Sequence, residues 1–84
     1  MIGRCDMRIR YKYIHFAMLE KKQKTSVWSC RNNASDYELG RVEWYYPWRQ
    51  YCFFPSGDSL FNKGCMLDII DFMENLRAKE GGVM

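Results

Sequence analysis

The sequence contains no uninterrupted apolar run approaching the roughly 18 residues of a membrane-spanning helix, so it reads as a chain without helical membrane spans. Residues 1–10 are broken by charge every few positions and offer no apolar signal core, which makes the cytoplasm the expected location. Histidine occurs once, at His15, and the cysteines at 5, 30, 52 and 65 include no Cys-x-x-Cys pair. Zinc ligation therefore has no support, and no metal or cofactor is expected. In a reducing compartment the cysteines read as core thiols rather than disulfides. No Gly-rich phosphate loop is present. His15 lies in a strand-like pattern without an obvious nucleophile beside it, and Asp68 and Asp71 fall on the polar side of a helix, so an enzyme is not expected.

Charge is also nearly balanced. Thirteen basic and ten acidic side chains give a net +3, short of the strongly basic footprint of a dedicated nucleic-acid binder.

Aromatic residues are abundant instead. They make up 17% of the chain, within a hydrophobic fraction of 48%. Eighty-four residues accommodate one core, and 1–84 is read as a single domain with 1–10 and 80–84 as candidates for fraying. A domain this small buries only about 60% of its unfolded surface, so bulky rings are what let it hold together alone.

Alternation predicts strands over Tyr11–Leu19, Thr25–Asn32, Tyr37–Tyr45 and Gln50–Phe54. The cluster from Asn32 to Asp36 has turn chemistry, because Asn and Asp bond their own backbone. Pro47 cannot continue a central strand, so the chain should reverse across 46–49. From Asn62 to Lys79 the period changes to that of a helix, with Cys65, Met66, Ile69, Phe72, Met73 and Leu76 on one face. Asn62 suits the N-cap, and Gly81-Gly82 suits the C-terminal stop. The expected fold class is α+β: a four-stranded, or three-stranded, antiparallel meander sheet with one C-terminal amphipathic helix packed on one face.

Strand parity divides the side chains. Trp28, Cys30, Val42, Trp44, Cys52 and Phe54 are assigned to the helix-facing side, with Gly40 among them where a ring or helix comes close. The opposite parity collects Tyr13, His15, Val27, Arg31, Arg41, Glu43, Tyr45, Arg49, Tyr51 and Phe53, with Trp48 at the turn. An uncovered sheet face usually carries polar residues, and this one mixes rings with arginines. Arg31, Arg41, Tyr45, Trp48, Arg49, Tyr51 and Phe53 are therefore the candidate binding residues. Three readings stand: a contact surface for a protein partner or self-association, a platform for single-stranded nucleic acid, or a structural ladder of cross-strand rings with function elsewhere.

The pattern Trp28-x-Cys30-x-Asn32, Leu39-Gly40, Trp44-Tyr45, Trp48-Arg-Gln-Tyr-x-Phe-Phe-Pro55 and Cys65-x-Leu67-Asp-Ile69-x-x-Phe72 resembles a group of small uncharacterised proteins of bacteria and their phages and prophages. The likeness spans residues 13–77, and Trp-Arg-Gln-Tyr-x-Phe-Phe-Pro is its specific part. It implies a bacterial or phage setting in the cytoplasm and a role in binding a host protein or nucleic acid. It implies no activity, cofactor or catalytic residue.

Overall fold

Each expected change of period marks an element in the computed structural model, which describes residues 8–79. Four strands, β1 (Ile14–Lys21), β2 (Ser26–Asn32), β3 (Glu38–Tyr45) and β4 (Gln50–Pro55), form one antiparallel sheet in the order β1-β2-β3-β4. The helix α1 (Lys63–Lys79) follows β4 and packs across one face, giving the α+β meander. The expected Gly81-Gly82 stop, and the fraying expected for 1–7 and 80–84, fall outside the described residues.

β1 begins three positions later than the alternation suggested. The Tyr11 N–H donates to the Ile14 carbonyl at 2.8 Å, folding 11–13 into a bend ahead of the strand. The Ile9 carbonyl accepts the Phe16 N–H at 2.8 Å, which ties the chain before the bend to β1.

α1 starts on the predicted cap, where Asn62 Oδ1 accepts the Cys65 N–H at 2.8 Å. Arg77 and Lys79 occupy the last turn, the end that the helix dipole favours for cations. Cys65, Ile69, Phe72 and Leu76 are its buried residues. The Phe72 ring stacks on Phe16 of β1 at 3.9 Å between centroids and meets Trp28 of β2 edge-on at 5.2 Å. Met66 was placed on this stripe by its spacing but is 50% exposed. It lies about 100° around the axis from Cys65, beyond the contact line. Met73 packs at the margin.

Two irregularities decide which side chains share a face. Register shifts between Cys30 and Arg31, so that Cys30 pairs with Gly40 while Arg31 pairs with Glu38. The extra residue, Leu39, turns inward and is buried, and Glu38 then shares a face with Arg41 despite their spacing of three. A second shift lies between Met18 and Glu20 on β1.

The β3–β4 connection corrects the facial assignment of β4. The Arg49 and Trp48 N–H groups both donate to the Tyr45 carbonyl, at 2.9 and 3.1 Å, and Arg49 is left-handed at φ 54°. The loop is thus 46–49 and Tyr45 pairs with Gln50. A four-residue loop opposes residues of unlike parity, so Val42 faces Phe53 and Trp44 faces Tyr51. Tyr51 and Phe53 belong to the helix-covered side, whereas Cys52 and Phe54 lie on the other. Both pairs had been assigned the reverse way, on the assumption that even positions stay together through the turn.

Candidate functional site

The sheet face opposite α1 has two regions of different chemistry. At one end, the turn after β2 and the bulge in β3 assemble a polar network. Asn33 Nδ2 donates to the Tyr11 and Lys12 carbonyls at 2.8 and 3.2 Å, which directs its oxygen toward His15. His15 Nδ1 lies 2.7 Å from that oxygen, and Nε2 lies 3.2 Å from Asp36 Oδ1. Both ring nitrogens of His15 therefore face oxygen acceptors. Arg31 Nη1 donates to the Asp36 carbonyl at 3.0 Å, with the Asp36 carboxylate at 3.4 Å. Arg31 Nε donates to Ser29 Oγ at 3.1 Å, and Ser29 in turn donates to Glu38 at 2.7 Å. Arg41 Nε completes the chain at 3.0 Å from the same Glu38 oxygen. The Ser29 hydroxyl and the Arg41 guanidinium hold the Glu38 carboxyl below its usual range, against a smaller opposing effect of burial.

At the other end, the β3–β4 hairpin gathers rings. Tyr45 meets Trp48 edge-on with centroids 5.1 Å apart, and Phe54 at 6.2 Å. With Cys52 and Phe53 these residues line a shallow depression of about 270 Å³. Trp48 is 66% exposed and Phe54 41% exposed, and Tyr46 beside them is more exposed still. Arg49 sits at the end of the turn, and no carboxylate pairs with it among the described residues.

Of the candidate residues, Tyr45, Trp48 and Arg49 come together at this corner. Arg31 and Arg41 lie on the same face but are engaged by Asp36 and Glu38. Tyr51 does not belong to it, and Phe53 borders the depression but turns its ring to the helix side. Tyr51 is 9% exposed, its ring meets Trp44 edge-on, and its hydroxyl accepts the Ser26 N–H at 3.0 Å. Phe53 packs against Phe61 and over Gly40. Val27, placed on the open face by parity, is buried, and Tyr13 is in the bend before β1 rather than on the sheet.

Strand parity alone puts Phe54 on the helix side, although counting the loop from Tyr45 to Gln50 turns it outward. The carboxylates that engage the arginines were legible only as turn and strand residues, because a bulge and a reversal bring them into reach.

Two thiols differ in character. Burial pushes the Cys30 thiol up to about 12, helped by nearby Cys65 and Glu38, whereas Cys52 is half-buried on the open side. Among the described residues no cluster of three His, Cys, Asp or Glu is placed to hold a metal ion, and no helix is long and apolar enough to cross a membrane. No family model, curated protein or solved structure matches the chain.

Proposed function

We propose that this is a non-enzymatic binding protein whose contact surface is the hairpin corner formed by Tyr45, Trp48 and Phe54, with Arg49 at its rim, and that its partner is a protein. The observation that carries the reading is the trio of exposed rings, Trp48 and Phe54 each meeting Tyr45, around a depression on the sheet face that the helix leaves open. Large rings held by their neighbours bury much area while losing little side-chain freedom, which is why aromatic and arginine residues dominate interface hot spots. A ladder made only for stability would not leave Trp48 projecting from a turn at 66% exposure. The depression suits an apolar side chain of the partner, with a carboxylate beside it for Arg49. In the bacterial or phage setting implied by the resemblance, that partner is a host protein.

The state of the arginines favours protein over nucleic acid. Phosphate would have to displace Asp36 from Arg31 and Glu38 from Arg41, so of the three candidate arginines only Arg49 offers a guanidinium without a carboxylate partner among the described residues.

The test is affinity capture from bacterial extract, followed by titration of the purified captured protein against wild type, Trp48→Ala and Phe54→Ser. Both replaced residues are exposed, so the fold should persist. Loss of about 2 kcal/mol or more of binding per variant, roughly thirtyfold in affinity, is expected for hot-spot residues. Binding unchanged by both variants contradicts the reading. Tight oligonucleotide binding that falls steeply with salt would transfer the function to nucleic acid.

A further inference from the structure

The two edges of the sheet are built differently. β1 carries a register break between Met18 and Glu20 and ends in the charged pair Glu20 and Lys21. Bulges and charge are the devices by which sheet edges avoid pairing with other chains. β4 has neither. It pairs with β3 without a break from Tyr45↔Gln50 to Gly40↔Pro55, and Gln50–Pro55 contains no charged residue. Among the described residues it is the last strand in the sheet order, with a strand neighbour on one side only.

We propose that the outer edge of β4 is a self-association surface, on which β4 of a second copy of this chain pairs antiparallel to make a continuous sheet. Three features select a second copy rather than an unrelated strand. First, a two-fold antiparallel pair sets a strand against its own reverse, which is costly where like charges meet and free of that cost here. The net charge of +3 is carried by other parts of the chain. Second, Pro55 has no N–H to give to a new ladder and confines pairing to Gln50–Phe54, a segment centred on Cys52. Cys52 then lies opposite Cys52 of the second copy, and Gln50 lies opposite Phe54. Third, a two-fold axis normal to the sheet keeps both open faces on the same side. The exposed Phe54 ring of each copy is then covered by Gln50 of the other, and the two aromatic corners flank one seam. The inference concerns the strand edge and goes beyond the contact surface proposed for the corner.

Sedimentation velocity on the full chain from about 1 μM to about 1 mM should show a concentration-dependent dimer. Cys52→Lys and Cys52→Asp each place like charges across the two-fold axis and should weaken the dimer tenfold or more. An equimolar mixture of the two should associate again. Trp48→Ala, which disables the corner, should leave the dimer intact and so separates this inference from the proposed function.

The native thiol gives a measurement that needs no charged variant. Directly opposed strand residues have Cα atoms about 4.5–5.5 Å apart, within the roughly 4.4–6.8 Å range of disulfides. In a Cys5→Ser background the remaining cysteines, Cys30 and Cys65, are buried. Diamide should therefore take two electrons and two protons from a pair of Cys52 thiols and yield a covalent dimer that Cys52→Ser abolishes. A monomer at every concentration overturns the proposal, as does a dimer that forms without a Cys52 disulfide or is indifferent to charge at Cys52.

Discussion

Replacing Gly40 by alanine probes the face on which Phe53 lies. A Cβ built at Gly40 would stand 2.5 Å from Phe53 Cζ, 3.0 Å from Phe53 Cε1 and 2.7 Å from the Phe54 carbonyl oxygen. The ring can rotate away in part. The carbonyl belongs to the paired strand β4 and cannot move without disturbing the Gly40↔Pro55 and Arg41↔Phe54 pairs. Overpacking of this kind costs about 1–3 kcal/mol. A loss of about 2 kcal/mol lowers the melting temperature of a domain this size by roughly 8–16 °C. With Phe53 on the opposite face only the contact with the Phe54 oxygen would remain, and the cost would be smaller and independent of the residue at 53. Phe53→Leu removes the ring contacts but not the Phe54 oxygen, so Gly40→Ala should cost less in that background, with a coupling of about 1 kcal/mol. Urea and thermal unfolding of the four proteins, followed by circular dichroism, measure both quantities. Strictly additive effects would refute the placement of Phe53 over Gly40, and Gly40→Ala stability equal to or above wild type would refute the close approach of β4 as a whole.

Three further outcomes follow from named contacts. Glu38 has a folded-state pKa below its unfolded one, so its contribution to stability is present above the unfolded pKa and lost as pH falls through the folded one. Acid unfolding of Glu38→Gln should accordingly show a shallower pH slope than wild type on the acid side, and an unchanged slope would count against the Ser29–Glu38–Arg41 chain. Asn33→Ala removes the bonds to the Tyr11 and Lys12 carbonyls and the partner of His15, and should cost about 1–3 kcal/mol in chemical denaturation, with a neutral result contradicting the network. Because the Cys30 thiol is pushed up to about 12 by burial, a thiol reagent at mildly alkaline pH should label Cys52 well before Cys30, read by peptide mass spectrometry. The unfolded state gives up the Cys30 proton at a lower pH than the folded state does, so the same group destabilises the fold as pH rises above the unfolded thiol range.

The fold was legible wherever a local rule acts alone. The helical period from Cys65 to Leu76, the Asn62 cap and the reversal around Pro47 each depend on residues close together in the chain, and each is present. What alternation could not supply was the facial assignment beyond a turn. That depends on whether the loop contains an odd or even number of residues and on its size, and Arg49 takes a left-handed conformation without a glycine to announce it. The bulge at Leu39 has the same character: it inverts parity within β3 and sets Glu38 beside Arg41. Tyr45, Trp48 and Arg49 could be placed at the open corner because they sit at or before the turn. Tyr51 and Phe53 were misplaced because they sit after it. The neutralisation of Arg31 and Arg41 was hidden for a related reason, since each carboxylate partner reaches its arginine through a turn or a bulge rather than through strand alternation.

The exposure of individual rings tests the central claim most directly. Photochemically induced nuclear polarisation in dilute solution enhances only those tryptophan and tyrosine side chains that a dye can reach. Trp48, Tyr45 and Tyr46 should be strongly enhanced, while Trp28 and Tyr51 should remain dark. A dark Trp48 together with an enhanced Tyr51 would contradict the claim that the aromatic surface offered to partners is the corner of the hairpin.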